Sequence, residues 1–258
     1  MRLVDTHCHL DIPPLSAQPQ AVLERARQAG VCAVVALAYD LKSFDAVEKL
    51  AQLAGVAPVL GLHPWVAHEP LDVADLEKRL RRCRAVAVGE IGLDFKLEGC
   101  DQGRQLEVLE QQLEVACRLE LPVMLHCRGA FDELLAVLCN ASKPVRGVLH
   151  AFSRSPEIMG QFIDAGLHIA FGGAVTRETA TRARRAAAAC PAERLLLETD
   201  APSIGLQGVP AEEVEPRHVR EIALCIAGLR GISLEEVAEV TTSNATALLG
   251  PRLGAARP

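Results

Sequence analysis

The chain has 258 residues, half of them hydrophobic but only 3% aromatic, with a formal net charge of −6 and a pI near 5.8. That length suits one large α/β domain with an aliphatic core. The acidic balance excludes a broad basic footprint, and the scarcity of aromatics excludes an extended stacking groove, so an anionic substrate must be held locally, by a few Arg or Lys or by bound cations.

Along the chain, short apolar runs alternate with amphipathic stretches. RLVDTHCHL at 2–10 reads as a first strand and AVLERARQAG at 21–30 as a helix closed by Gly30. VCAVVALA at 31–38, APVLGLHP at 57–64 and AVAVGEIGLD at 85–94 are the next three strands. QLEVLEQQLEVACRLE at 105–120 has helical spacing, with Leu106, Leu109, Leu113, Ala116 and Cys117 on one face. LPVMLHC at 121–127 and RGVLHAF at 146–152 follow as strands five and six, and SPEIMGQFIDAG at 155–166 as a helix between Pro156 and Gly166. LHIAFGG at 167–173 and RLLLETDAP at 194–202 complete the strands, and SLEEVAEVTTSNATALLG at 233–250 is a terminal helix capped by Ser233 with Glu236 three residues on.

The runs are rich in Val, Ile and Leu with little alternation, as in parallel strands buried on both faces. About eight βα units in a chain of this size predict a single-domain (β/α)8 TIM barrel over 1–258, with about 251–258 as a disordered tail; a doubly wound open sheet is the rival. Nine dispersed cysteines without a C-x-x-C pair read as reduced thiols. No apolar run is long enough for a bilayer and no leader precedes the first strand, so a cytoplasmic protein without membrane partners is expected, as a monomer or weak dimer. The Arg-rich RRCR at 81–84 and RARR at 182–185 fit solvated helix faces.

The chemistry-bearing residues collect at one kind of place. His7 and His9 end the first predicted strand, His63 the third, Glu90 the fourth, His126 the fifth, His150 the sixth and Asp200 the eighth. In a barrel the carboxyl ends of the strands converge on one face. His-x-His on a strand turns both rings to one side. Each residue alone has an ordinary structural reading as a hydrogen-bonded strand end, cap or turn. Together, imidazoles and carboxylates in one mouth need a cation, and their number suits two divalent ions sharing a bridging carboxylate. Cys8 and Cys127 alternate to the other face and read as core. His68 is a rim candidate, His168 begins the seventh strand at the far end, and His218 reads as a surface residue.

As a set, DTHCHL at 5–10, GLHP at 61–64, GEIGLD at 89–94, LPVMLHCR at 121–128, LHAFS at 149–153 and ETDAP at 198–202 resemble the ordered signature blocks of TatD-like metal-dependent hydrolases. The resemblance runs from the first strand to about Leu249 and is nearest the bacterial deoxyribonuclease branch of that family, which is similar in fold to the amidohydrolase barrels. It implies that His7, His9 and Asp200 bind a first metal, that Glu90 bridges, and that His126 and His150 bind a second. It also implies that Asp200 is the base for a metal-activated water in hydrolysis of a DNA or oligonucleotide phosphodiester, in the manner of a 3′–5′ exonuclease. His63, Arg128, Arg154, Glu198 and Asp94 are then substrate contacts or residues that orient the ligands. Zn²⁺, Mn²⁺, Ni²⁺ or Mg²⁺ would suit the donors. The modified lysine that bridges in phosphotriesterase-like relatives has no counterpart, since Lys96 lies past Asp94.

Two places depart from the family pattern. Arg154 stands where glycine is usual, and Val214 where asparagine precedes the Glu215-Pro216 pair of the substrate loop. Metal-dependent hydrolysis is therefore the firmer expectation and nuclease activity the finer one. A same-barrel hydrolase of a small phosphoester, amide or lactone, and a non-catalytic metal-binding barrel, are the alternatives.

Overall fold

The computed structural model describes residues 1–250 and Leu253. Eight strands run in chain order and pair in parallel: β1 (Leu3–Cys8), β2 (Val31–Leu37), β3 (Val56–Leu60), β4 (Ala87–Asp94), β5 (Val123–Arg128), β6 (Gly147–Leu149), β7 (Leu167–Phe171) and β8 (Leu195–Leu197). Helices alternate with them: α1 (Pro19–Gln28), α2 (Leu41–Leu50), α3 (Val73–Cys83), α4 (Gln102–Leu119), α5 (Phe131–Asn140), α6 (Pro156–Asp164), α7 (Thr181–Ala189) and α8 (Val219–Arg230), followed by α9 (Leu234–Leu249). The order is sequential, without the reversal of a doubly wound sheet, so the architecture is the (β/α)8 barrel. The tail expected at 251–258 lies outside the described residues except for Leu253, which is buried with Leu248 and Leu249.

Closure between β8 and β1 relies on side chains as well as backbone. Beyond β8, Cys8 pairs with Ala201, and the Asp200 amide donates to the His7 carbonyl at 2.9 Å. The Thr6 hydroxyl donates to the Leu197 carbonyl at 2.8 Å. Asp5 accepts from the Thr199 amide at 2.8 Å and the Thr199 hydroxyl at 2.6 Å. Burial pushes the Asp5 carboxyl up to about 7, against the pull of those bonds.

The interior explains where the functional side chains point. One cluster takes residues from every strand, among them Val4, Val35, Val59, Ala87, Met124, Val148, Ala170 and Leu196, and Ala245, Leu248 and Leu249 of α9 pack against it. Strand period 2 then carries the inward face from Met124 to His126, from Val148 to His150, and from Leu196 to Glu198 and Asp200. In β1 and β4 the phase is reset by register shifts, between Asp5 and Cys8 and between Val88 and Ile91. Cys8 consequently packs with the outer core.

The face of α4 differs from the expected leucine stripe. Gln105, Val108, Leu109, Gln112, Leu113, Val115 and Ala116 are buried, while Leu106 and Cys117 are only partly so. The glutamines are there for backbone accounting. Gln112 accepts from the Leu62 amide at 2.7 Å and donates to its carbonyl at 3.1 Å. Gln105 does the same for Asp94, at 2.8 and 3.1 Å. These two amides complete the carboxyl ends of β3 and β4, where the ladder stops.

Candidate metal centre

Glu90 is the hub of the barrel mouth, and the glycines beside it let it sit there. A Cβ on Gly89 would fall 2.6 Å from Met124 Cβ, and one on Gly92 only 2.0 Å from the His126 carbonyl oxygen. Gly92 also has a φ of +145°. Around the hub, the two carboxylate oxygens face different partners. Oε2 lies 3.2 Å from His7 Nε2 and 3.4 Å from His9 Nε2. Oε1 lies 2.8 Å from His150 Nε2, 3.1 Å from His126 Nδ1 and 3.3 Å from His63 Nε2. Asp200 Oδ1 joins the first side, 3.5 Å from His9 Nε2 and 3.8 Å from His7 Nε2. Asp200 has a φ of 53°, the left-handed region. Its carbonyl accepts from the Ser203 amide at 2.7 Å.

The outward nitrogens decide what the inward ones can do. His126 Nε2 faces Asp94 Oδ2 at 3.5 Å and His150 Nδ1 faces Glu198 Oε1 at 3.8 Å. A proton on each outward nitrogen leaves a lone pair aimed inward. His63 is the opposite case: its Nδ1 accepts from the Trp65 amide at 3.1 Å, so the neutral ring carries its proton on Nε2 and donates it to Glu90. His63 therefore orients the carboxylate. Asp94 holds Trp65 as well, accepting from the indole Nε1 at 2.7 Å.

The cluster draws positive charge. Glu90 is fully buried, yet His150, His63 and His7 outweigh that burial and hold its carboxyl well below the usual range. Burial pushes His9 and His150 down, but the facing carboxylates, Glu90 above all, win and raise them to about 9 and about 10. His7, with fewer compensating partners, is lowered by burial and by His150 to about 3. Asp200 is raised by burial, against His150 and His9. Burial also raises Glu198, to about 8.

Divalent cations fit this donor set. His7 Nε2 and His9 Nε2 stand 3.4 Å apart, and His126 Nδ1 and His150 Nε2 3.1 Å apart, each pair converging on the same carboxylate. Among the described residues, three overlapping groups have ligand atoms within 4.8 Å of one another: His7, His9 and Glu90; His7, His150 and Asp200; His63, Glu90 and His126.

Not every expected site residue joins them. Arg128 lines the cavity above the cluster, with its guanidinium 3.5 Å from Asp94. Arg154 does not line it; the guanidinium lies 5.1 Å over the Phe131 ring. His68 is exposed and outside that cavity. His218, expected at the surface, is buried, because its Nδ1 accepts from the Glu215 amide at 2.9 Å and closes a capping box. Glu215 itself is held by Arg25 of α1 through bonds of 2.6 and 2.8 Å, a structural tie that accounts for the Glu-Pro pair. Cys127 is partly buried, packing against the core as expected while also lining the cavity, its thiol pushed up to about 12 by burial. Tyr39, Ile12 and Trp65 line the cavity too and were missed. Their signal was position, since Tyr39 follows β2 and Trp65 follows His63-Pro64.

A family model, TatD related DNase, matches residues 4–250. The chain belongs to the TatD family. Among relatives, it is 37% identical to the uncharacterized metal-dependent hydrolase YjjV of Escherichia coli K12, over 94% of this chain and 96% of that one. It is 34% identical to human deoxyribonuclease TATDN3, over 97% of this chain and 95% of the relative. The crystal structure of E. coli YjjV superposes with a TM-score of 0.91 at 35% identity, covering 96% of this chain and 98% of that one. This TatD-family chain is a metal-dependent hydrolase whose His, Asp and Glu clusters are able to bind metal. Among the described residues no helix is long and apolar enough to cross a membrane.

Proposed function

We propose that this hydrolase holds two divalent ions, Zn²⁺, Mn²⁺, Ni²⁺ or Mg²⁺, and cleaves phosphodiesters of DNA. The observation that carries the two-ion reading is Glu90, whose Oε2 faces His7 and His9 while its Oε1 faces His126 and His150. His7, His9 and Asp200 would hold one ion, His126 and His150 the other, with Glu90 between them. Bound there, divalent ions supply a lowered pKa for water, polarisation of a phosphoryl oxygen and charge to offset a polyanion. The chain does the rest. Asp200, raised by burial, accepts the proton of the attacking water. Asp94 and Glu198 face the outward nitrogens of His126 and His150 and favour a proton there, and His63 holds Glu90 in place. Arg128 is the cationic side chain of the cavity and the phosphate contact. Support for DNA comes from the family model and from the name of the human relative.

The test is turnover of a single-stranded oligonucleotide by metal-loaded protein, beside Asp200→Asn with its metal content measured. Cleavage per bound metal, measured at zinc concentrations that restore any metal lost with the carboxylate, is expected to fall at least about 100-fold in the variant, for loss of a general base. Brisk lactone or amide hydrolysis with no oligonucleotide cleavage would overturn the nuclease reading.

A further inference from the structure

The chain has one tryptophan and one tyrosine, and both line the cavity that opens on the histidine cluster. Trp65 is 49% exposed, yet it is not loose. Pro64 precedes it in a short 3-10 turn, its backbone amide donates to His63 Nδ1 at 3.1 Å, and its indole donates to Asp94 Oδ2 at 2.7 Å. The ring stands edge-on to His63, with centroids 4.7 Å apart. Tyr39, after the neighbouring strand, stands edge-on to His9 at 6.4 Å. A cavity of about 480 Å³ is therefore lined by ionic groups, Glu90, Asp200 and the imidazoles, and also by Trp65, Tyr39, Ile12 and Arg128.

We infer that Trp65, with Tyr39, is a base-stacking subsite that seats the nucleobase of the nucleotide whose phosphate lies at the histidine cluster. The inference rests on the proposed action on nucleic acid and adds to it a residue that positions the substrate. A half-exposed indole fixed at both its backbone and its Nε1 is preorganised, so little ordering entropy opposes stacking. The occupant needs a planar apolar body joined to an anion, and a nucleotide has both. An acidic chain with a net charge of −6 attracts a polyanion weakly, and every base offers a π-face regardless of sequence. The contact is therefore expected to hold one base without reading its identity.

Because Trp65 is the sole tryptophan, its emission reports the subsite directly. Full-length, zinc-loaded protein is titrated with dAMP and, separately, with 2-deoxyribose 5-phosphate, with excitation on the red edge of indole absorption, and both bindings are measured by calorimetry. Saturable quenching by dAMP, without quenching by the sugar phosphate, is expected. Trp65→Ala should weaken dAMP roughly 5- to 150-fold, the range of one base–aromatic stack, and leave the sugar phosphate unchanged. Trp65→Phe keeps a ring and should recover most of the loss. Failure of dAMP to bind, quenching of equal size by both compounds, or equal loss of both in Trp65→Ala would overturn the subsite. Oligonucleotide cleavage is scored separately: dAMP quenching without cleavage leaves the subsite standing and removes the nuclease reading, and cleavage with an unaffected indole does the reverse.

Discussion

Replacing Glu90 with glutamine preserves shape and removes one charge at the point where the two halves of the cluster meet. A unit positive charge placed as His7 Nε2 is, 3.2 Å from Oε2, gains about 5 kcal/mol from a carboxylate at an effective dielectric of about 20. Glutamine supplies none of this, and its amide NH₂ would aim protons at imidazole lone pairs. If water and relaxation recover half, about 2.5 kcal/mol remains, roughly 60-fold in a binding constant. Both halves lose together, because Oε1 faces His150 at 2.8 Å just as Oε2 faces His7. The assay is calorimetric zinc titration of chelator-stripped Glu90→Gln and wild type, with bound metal counted after dialysis and circular dichroism to confirm the fold. Both binding events should weaken by at least about tenfold. A variant that keeps wild-type stoichiometry and affinity would refute the bridging role of Glu90.

Gly92→Ala puts a Cβ 2.0 Å from the His126 carbonyl at a φ of +145°, so β4 and β5 must part. A loss of about 3 kcal/mol or more is expected, seen as a drop in Tm of roughly 6–12 °C; a variant melting with the wild type would contradict it. Asp94→Ala removes the acceptor facing His126 Nε2 and holding the Trp65 indole. Zinc affinity should fall about 10- to 100-fold and the indole emission should shift, in one titration; unchanged affinity would exclude the orienting role. His168, at the far end of β7, is lowered to about 4, by burial first and by Arg194 second. Its folded pKa is depressed, so the unfolded chain binds the extra proton; its contribution is complete above about pH 6.5 and is lost as pH falls toward about 4. His168→Gln should flatten that slope in urea midpoints compared at neutral and acid pH, and an unchanged slope would remove the assignment.

Strand positions were legible because buried parallel strands are uniformly apolar, and the convergence of His7, His9, Glu90, His126, His150 and Asp200 followed from the barrel. Where strands end was not legible. The β6 ladder stops at Leu149 and that of β8 at Leu197, just before His150 and Glu198, and the chain turns into positive φ at Ala151 and Asp200 beyond them. The buried glutamines of α4 break the apolar pattern, but a polar residue on a stripe looks like solvent exposure until its backbone partners, Leu62 and Asp94, are known. Asp5 carried a signal, a carboxylate inside an apolar strand, yet its partner Thr199 is 194 residues away. His218 was misplaced for the same reason: its local sequence is polar, and the capping box that buries it depends on how Pro216 and Glu215 fold back. Arg154 was expected among the substrate contacts or orienting residues, and its cation–π contact with Phe131 could not be read from spacing.

The two-ion reading proposed from the paired donors around Glu90 is tested by metal content, without reference to substrate. Protein purified without chelator, then given excess zinc and desalted, should hold about two equivalents per chain, lost in two steps as chelator is added. A folded sample that takes up no metal, or a single equivalent that Glu90→Gln leaves in place, would contradict the two-ion cluster built on Glu90.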